Sequence, residues 1–445
     1  METVRAPFDS LYPENSRFEE IEKILGFIKE GNSCQLIGLP GTGRSNLLGF
    51  LAYNHAIRAK HLGDQEKQFH FVMINFSELK HRSLFDVTKI IFLTIVESLK
   101  TPELQPIHEK VTTIFKESLS YQDELILFQG LKSTIDILAV AQQLTIVLLF
   151  ERFEEYVPKL TPDFFTNLRV LRNRAKYHFS VIFSLNRSLE ELLEPSTTAD
   201  FYELIAGHTI YLPISDIPGN KFRITYLEKA TGKTIDPKTI ETITEYTAGH
   251  GKLTRICVEI LLSSPPDKGE PEGVEFFLQQ KRIQGTLNEI WQALSPLEQA
   301  CLSSDSPCDH EETDYLNLVG ICNRKTISIP LLSAFAKEKA KELTATQKIM
   351  FNVDTNMITK GDLVLSDKLT VSEFRLLRFL IENQNHVVEK EDIIRTVWQD
   401  AKTTAGVTDQ ALDQLIFRLR KKIEDDPNIP EHIQTVKGRG VKFTS

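Results

Sequence analysis

Apolar runs of two kinds divide the chain into regions. In the first half, mostly apolar stretches of strand length recur. One helical pattern starts near residue 18, before the first stretch, and another starts near residue 83. These stretches are 33–37, 69–75, 145–150, 179–187 and 208–212. Strands that are apolar on both faces are typical of a parallel sheet covered by helices on both sides. Residues 1–213 are therefore predicted to form an α/β core.

The last part of the chain instead has the 3.6-residue period of amphipathic helices. The predicted helices are 369–380, 390–398 and 407–423, and the predicted strands after them are 433–436 and 441–443. We expect a Ser-x-x-Arg turn at Ser372 to open the first helix, and Thr408 to be the N-cap of the third, with Asp409 in its first turn. Three helices followed by a hairpin predict an α+β winged helix-turn-helix.

This stretch also resembles the OmpR/PhoB-type DNA-binding domain of bacterial response regulators. The matching positions are Leu369, Thr370, Glu373, Phe374, Leu376, Leu377, Val397, Trp398, Thr408, Asp409, Leu412, Asp413, Ile416, 418–422, 433–436, Gly438, Gly440 and Phe443. The resemblance implies one domain over 345–445, with a small N-terminal sheet between 349 and 365. It also implies that the third helix faces DNA with Gln410, Gln414, Leu415, Phe417, Arg418 and Arg420.

The charges give a separate physical reason to expect DNA. Arg418, Arg420, Lys421 and Lys422 lie toward the end of the third helix, and the hairpin carries Lys437, Arg439 and Lys442. Such groups can contact phosphates, with an affinity that falls as salt rises. In the grooves, Gln414 could pair with adenine and Arg418 with guanine, whereas Leu415 and Phe417 could touch only thymine methyls or a protein. The alternative is that the basic residues merely complement the helix dipole.

A glycine-rich loop follows the first predicted strand. Its sequence, Gly38-Leu39-Pro40-Gly41-Thr42-Gly43-Arg44-Ser45, opens a helix at Asn46. In this setting backbone N–H groups and a helix N-terminus cradle phosphate, which predicts a P-loop. The predicted nucleotide-binding residues are Gly38, Gly41, Thr42, Gly43, Arg44, Ser45 and Asn46, with Ser45 placed to hold Mg²⁺. Arg44 replaces the usual lysine, and this exchange is not conservative.

The apolar run 145–150 ends in acidic residues. A P-loop ATPase places an aspartate there for Mg²⁺ and usually a glutamate after it to polarise water. Here Glu151 could hold Mg²⁺ through water, Arg152 cannot act as a base, and Glu154 is a candidate substitute one turn later. The alternative is that these acids only solvate the end of the strand.

The order of these segments resembles the STAND-type ATPases of the AAA+-like group. The resemblance implies a γ-phosphate sensor at Asn186 or Arg187, and a helical lid over 214–264 in which His250 is the residue nearest the nucleotide. A stretch rich in proline, glycine and charge predicts a linker at 265–275. After it, the resemblance implies a degenerate winged helix over 276–343 that acts as a spacer or docking surface. Gly249-His250-Gly251 can equally be an ordinary break between two lid helices.

Composition narrows the possible classes. The chain is 41% hydrophobic and 25% charged with a net charge of −9, so affinity for nucleic acid has to come from a local basic patch. We expect a cytoplasmic protein, because no apolar run approaches a membrane span and the five cysteines are scattered. Cys301, Cys308, His310 and Cys322 are the conceivable metal ligands, but they contain no Cys-x-x-Cys pair and we expect no metal site there.

Two functions remain open. In the first, a P-loop switch that binds ATP or ADP with Mg²⁺ controls a winged helix that binds double-stranded DNA, as a transcription regulator. Self-association or RNA polymerase contact is compatible with it, and without a receiver's phosphorylatable aspartate we expect no phosphorelay through its own chain. In the second, an ATPase of a replication or defence machine uses the winged helix to dock on DNA or protein. Arg44 and Arg152 favour the first, with slow or absent hydrolysis.

Overall fold

The structure, a computed structural model, describes residues 7–263, 273–304, 314–323, 326–353, 355–361, 363–398, 409–424 and 426–444. The chain folds into two compact units, residues 1–335 and 336–445. Thr408 and most of the predicted linker lie outside the described residues, as do Cys308 and His310.

A five-stranded parallel sheet forms the centre of the N-terminal unit, in the order β2-β3-β4-β1-β5. Its strands are β1 Cys34–Ile37, β2 Phe69–Asn75, β3 Thr145–Glu151, β4 Phe179–Leu185 and β5 Thr209–Tyr211. Alternate side chains of β3 enter different cores: Leu148 packs on one face of the sheet and Leu149 on the other. The inner strands β1, β3 and β4 are therefore buried on both faces, whereas the edge strands β2 and β5 are partly buried. The predicted α/β fold class is confirmed.

Helices cover both faces of this sheet. They are α1 Phe18–Lys29, α2 Arg44–Tyr53, α3 His55–Leu62, α4 Leu84–Ser98, α5 Gln105–Ser120, α6 Glu124–Ile135, α7 Pro162–Ala175, α8 Leu189–Leu192 and α9 Pro195–Thr198. Helices α1 to α3 pack on the face that includes Leu149, and α4 to α7 pack on the face that includes Leu148. The crossover after β2 is long because α4, α5 and α6 all lie between β2 and β3.

Short helices complete the unit after the sheet. They are α10 Ile217–Thr231, α11 Pro237–Thr247, α12 Gly251–Ser263, α13 Gly273–Leu278, α14 Lys281–Gln292, α15 Pro296–Ser303 and α16 Asp314–Leu318, followed by strands β6 Cys322–Asn323 and β7 Thr326–Ile327. Helix α17, Pro330–Gln347, begins in the first unit and ends in the second.

The C-terminal unit is a winged helix with a small extra sheet. The extra sheet is β8 Ile349–Asn352, β9 Met357–Lys360 and β10 Leu363–Val364; then come α18 Val371–Glu382, β11 Val387–Val388, α19 Lys390–Val397, α20 Asp409–Ile423, β12 Ile433–Val436 and β13 Gly440–Phe443. The predicted Ser-x-x-Arg turn is wrong, because Thr370 caps α18 in a capping box with Glu373. The hydroxyl of Thr370 accepts from the Glu373 N–H while the Glu373 carboxylate accepts from the Thr370 N–H, so two helix-end donors are satisfied.

The cysteines differ in part from expectation. Cys34, Cys257 and Cys322 are buried free thiols, whereas Cys301 is disulfide-bonded. Across the described helices, none is both long enough and apolar enough to cross a membrane.

Candidate nucleotide site and DNA-binding face

The glycine-rich loop joins β1 to α2 at the carboxyl edge of the sheet. Gly41 and Gly43 have φ angles of 85° and 104°, in the left-handed region that favours glycine. Gly43 is also the N-cap of α2 and supplies no side-chain acceptor to the first helical turn. The helix N-terminus is therefore open toward a ligand, which is the arrangement that binds anions.

Three consecutive carbonyls of the loop are held from outside. The Pro40 carbonyl accepts from His250 Nε2 (3.0 Å), the Gly41 carbonyl from the Lys252 N–H (3.0 Å), and the Thr42 carbonyl from Arg17 Nη2 (2.7 Å). Because these lone pairs are satisfied elsewhere, an anion in the loop meets the positive end of α2 and not a row of carbonyl oxygens.

His250 supports the loop instead of facing a nucleotide. Its side chain is fully buried, and the described cavity wall does not include it. Nδ1 accepts from the Leu253 N–H, so Nε2 carries the proton that is donated to Pro40. Burial lowers the pKa of His250 to about 4, and the ring is therefore neutral at physiological pH. The expectation that His250 lies nearest the nucleotide is wrong. The turn between α11 and α12 places its side chain behind the glycine-rich loop, outside the described cavity wall.

The acidic end of β3 turns back toward the loop. Arg152 adopts a left-handed φ of 54°, and a short 3₁₀-helix, Phe153–Glu155, follows it. This turn brings Glu154 Oε1 to 2.7 Å from Arg44 Nη2. Arg152 itself pairs with Glu155 at 3.1 Å. Glu151 lines the cavity with Ser45, so these two residues are available to a cation.

A cavity of about 680 Å³ lies between the glycine-rich loop, the strand ends and helices α10, α12 and α14. It brings together most of the predicted nucleotide-site residues, namely Gly41, Thr42, Gly43, Arg44, Ser45, Asn46, Glu151, Glu154 and Asn186. Gly38 is outside the described wall and donates its N–H to the Leu185 carbonyl (3.2 Å). Ligands of open α/β sheets bind at this edge, where the strand order reverses.

The two sensor candidates face different ways. Asn186 lines the cavity, and its buried Oδ1 has no hydrogen-bond partner among the described residues. Arg187 turns away from it, because its guanidinium pairs with Glu298 (Nη1 to Oε1, 2.8 Å). Asn186 is thus the member of the pair placed to contact a ligand, and the sensor expectation is wrong for Arg187.

The sequence interpretation missed several residues of the cavity wall. They are Tyr12, Arg17, Phe50, Asn75, Asp216, Asn220, Arg223, Lys252, Arg255 and Glu289. Tyr12 and Arg223 meet there, with the phenol oxygen accepting from Arg223 Nη2 (2.6 Å) and Asn46 Nδ2 (3.2 Å). Lys252 directly follows Gly249-His250-Gly251, so its position in the sequence could have identified it as a site residue. The N-terminal residues Tyr12 and Arg17 have no such sequence signal, because folding brings them to the site from far away in sequence.

The residues present fit a phosphate-containing ligand. The open start of α2, the left-handed glycines and the unpartnered Asn186 Oδ1 all face one space. A Cβ at Gly41 would lie 2.7 Å from Lys252 Cβ and 2.8 Å from His250 Cε1, so glycine is required for this close approach. Ser45 and Glu151 are the oxygen donors in the wall that would suit Mg²⁺.

The outer face of α20 carries the predicted DNA-contacting side chains. Gln410, Gln414, Phe417, Arg418 and Lys421 are exposed, and the first four line a surface pocket with Asp413. Phe417 is 42% exposed, and Lys421 Nζ lies 4.9 Å from its ring centroid. Asp413 is neutralised by Lys390, whose Nζ donates to it at 3.0 Å.

Two side chains of α20 differ from expectation. Leu415 is 1% exposed and belongs to the hydrophobic core, so its predicted groove-facing position is wrong. Arg420 points to the wing, where its Nη2 donates to the Ile433 carbonyl (2.7 Å) and Thr435 Oγ1 (2.8 Å). Burial lowers the pKa of Arg420. Arg420 therefore holds β12 against α20, which is a different use from the predicted DNA contact.

The wing presents its basic residues at a tight turn. Lys437 and Arg439 are exposed and Lys442 is half-buried, and the Arg439 N–H donates to the Val436 carbonyl (3.0 Å). Gly440 has a φ of 137°, and a Cβ there would lie 2.0 Å from the Val388 carbonyl oxygen. Glycine is thus what allows β13 to pair with β11 and to project the wing.

Comparison with known proteins identifies the C-terminal unit. Residues 367–443 match the family described as transcriptional regulatory protein, C terminal. The chain is 29% identical to protein PetR of Rhodobacter capsulatus over 117 residues, which cover 24% of this chain and 48% of PetR. It is 38% identical to regulatory protein VirG of Rhizobium rhizogenes over 76 residues, or 17% of this chain and 30% of VirG. The chain thus spans at most about half of these relatives, and its C-terminal domain is an OmpR/PhoB-type winged helix.

Among solved structures, a Walker-type ATPase of Pyrococcus abyssi aligns with 80% of this chain and 95% of its own, at 16% identity and a TM-score of 0.44. The N-terminal unit is a five-stranded parallel α/β fold with a glycine-rich loop between β1 and α2.

Proposed function

We propose that this protein is a nucleotide-responsive, DNA-binding transcription regulator. The observation that carries the proposal is the presence, in one chain, of a cavity lined by a glycine-rich loop and the N-terminus of α2, and of a DNA-binding type of winged helix. The two units supply different activities, ligand binding in residues 1–335 and DNA binding in residues 336–445.

The N-terminal unit binds ATP or ADP with Mg²⁺ in this proposal. Bound Mg²⁺ would neutralise the charge of the phosphates and orient them. Gly41 and Gly43 let the backbone approach the phosphates, the start of α2 attracts their charge, and Asn186 Oδ1 accepts from the ligand or a water bound to it. Ser45 and Glu151 would hold the cation. Arg152 occupies the position of a water-polarising glutamate, which favours binding without rapid hydrolysis.

The C-terminal unit binds double-stranded DNA. Gln414, Phe417 and Arg418 face outward on α20, where they can reach base edges in the major groove. Lys421, Lys437, Arg439 and Lys442 supply phosphate contacts, and Arg420 fixes the wing that carries the last three. The charge of −9 for the whole chain means that this local patch dominates the attraction to DNA.

The test is binding of the full chain to the DNA upstream of its own gene, against scrambled competitor. The titration is run over a salt series, with and without ATP and Mg²⁺. Specific binding that changes with ATP is the expected result. Specific binding that does not change with ATP would contradict the nucleotide-responsive part of the proposal. An absence of DNA binding at low salt would contradict the proposed role as a regulator.

A further inference from the structure

Glu154 holds a fixed position in the wall of the nucleotide cavity. The left-handed turn at Arg152 sets its direction, and the neighbouring Phe153 is fully buried against Phe76 and Phe183, with ring centroids 4.8 and 5.0 Å away. The core therefore presents the carboxylate to the loop, and does not leave it on a mobile surface segment.

The partner of Glu154 is the cation of the glycine-rich loop. Arg44 is the first residue of α2, and its Nη2 contacts Glu154 Oε1 at 2.7 Å. The two side chains are 12% and 19% exposed. A carboxylate thus meets the arginine at the helix N-terminus, where this fold otherwise attracts an anionic oxygen of a ligand.

This ion pair is only half satisfied. Arg44 Nη1 and Glu154 Oε2 are both buried, and within the described part of the chain neither has a hydrogen-bond partner. Buried polar atoms without partners are costly, so the pair is poised to exchange for a more complete arrangement. A phosphate group offers Arg44 further acceptors, and release of Glu154 into the cavity returns its second oxygen to water.

Three other cations near the loop already have partners. Arg17 donates to backbone carbonyls, Lys252 pairs with Glu289, and Arg152 pairs with Glu155. An anion entering at the start of α2 therefore competes with Glu154 for Arg44.

We propose that Glu154 is an internal competitor of phosphate, a carboxylate that occupies Arg44 until a phosphate-containing ligand displaces it. The inference rests on the proposed nucleotide binding and deepens it. It also reverses the role considered from the sequence, in which Glu154 replaces the water-polarising base that Arg152 cannot be. The two roles predict opposite signs: removing a competitor strengthens ligand binding, whereas removing a residue that assists the ligand weakens it.

The experiment measures equilibrium binding of pyrophosphate and of ADP to the full chain by calorimetry, with Mg²⁺ and with a chelator. Glu154→Gln keeps the size of the side chain and removes its charge. We expect it to bind pyrophosphate about tenfold more tightly than the unmodified protein, with the larger gain in chelator, where Mg²⁺ does not offset the repulsion. Asp200→Asn is the control, because Asp200 pairs with Arg169 outside the described cavity wall, and the affinity of this variant should stay within about twofold.

Weaker binding by Glu154→Gln would overturn the proposal in favour of a ligand-assisting role, and unchanged binding would reduce the pair to a structural contact. Glu154→Asp is a second variant, which keeps the charge but shortens the side chain by one methylene. Its affinity for pyrophosphate should fall between those of the unmodified protein and Glu154→Gln. Thermal unfolding shows whether each variant is folded. If none of the folded proteins binds pyrophosphate, ADP or ATP, the nucleotide part of the proposed function fails as well; binding that ignores Glu154 defeats this inference alone.

Discussion

Arg187 and Glu298 form a buried ion pair that joins the end of β4 to the start of α15. Glu298 is 1% exposed, and Arg187 donates through both terminal nitrogens, to the carboxylate and to the Ala293 carbonyl. The guanidinium also stacks 3.5 Å from the ring centroid of Tyr315, whose hydroxyl donates to the Asn186 carbonyl (2.6 Å). The residue next to the cavity-facing Asn186 is thus tied to α14, α15 and α16.

This pair predicts a large effect on stability. Glu298→Gln removes the buried charge that faces Arg187 and leaves only its longer contact with Glu191 (3.4 Å), so we expect a loss of about 2–3 kcal/mol in the free energy of unfolding of the N-terminal unit. Urea unfolding of the full chain measures it. The control is Arg169→Met, which breaks an exposed pair with Asp200 and should cost about 0.5 kcal/mol. Equal losses in both variants would contradict the prediction.

Arg418 and Arg439 should contribute to DNA binding in different ways. Arg418→Ala removes a base contact in the groove, and we expect a loss of about 1–3 kcal/mol with relaxed sequence preference. Arg439→Ala removes a phosphate contact, so binding should weaken alike on all sequences and the log–log salt slope should fall by about 1. Gel-shift titrations on specific and scrambled DNA measure both effects. Unchanged affinity in both variants would place the interface elsewhere.

Phe417 should read a thymine methyl. Replacing individual thymines of the bound site by deoxyuridine deletes one methyl contact worth about 0.8 kcal/mol, and should weaken binding about fourfold at the contacted position. Phe417→Ala should bind both DNAs equally. If Phe417→Ala changes neither sequence preference nor self-association, its exposure has no role in binding.

Acid should weaken the support behind the glycine-rich loop. His250 has its pKa lowered to about 4 by burial, from an ordinary value of 6.5. The unfolded chain therefore takes up a proton first, and the stability present above pH 6.5 is lost as the pH falls toward 4, at up to about 1.4 kcal/mol per unit. Urea unfolding between pH 7.5 and 4.5 should show a shallower decline for His250→Asn. If the free energy of unfolding declined in parallel for the two proteins, His250 would not be the group responsible for the loss of stability in acid.

ATP turnover should be slow. Arg44 and Arg152 occupy positions where an active ATPase has a lysine and a glutamate, so we expect phosphate release well below ~1 s⁻¹ at saturating ATP and Mg²⁺. Multiple turnover of ATP at ~1 s⁻¹ or faster would contradict the proposal that ATP binding, and not hydrolysis, controls this protein.

The sequence predicted the strands well because each is mostly apolar, and β2 at Phe69–Asn75 coincides with its predicted bounds. It also predicted the wing, whose turn depends on a local glycine signal. It failed for Arg187, whose partner Glu298 is distant in sequence. It also failed for Leu415, although the helical spacing of Leu415 with Leu412, Ile416 and Leu419 places it on the buried face. Helices α5 and α6 were not assigned.

The contacts behind the glycine-rich loop bear on how this chain can change in evolution. Thr42, Gly41 and Pro40 are supported by Arg17, Lys252 and His250, which come from opposite ends of the unit. The boundary drawn at residue 213 is therefore not one at which recombination could exchange parts freely. If the segment after residue 213 were exchanged for that of a relative, the loop would lose the His250 imidazole and the placed Lys252 N–H. The loop would then lose its shape even if every glycine were kept. We expect the loop and lid to be inherited together, while the winged helix can be exchanged as a whole.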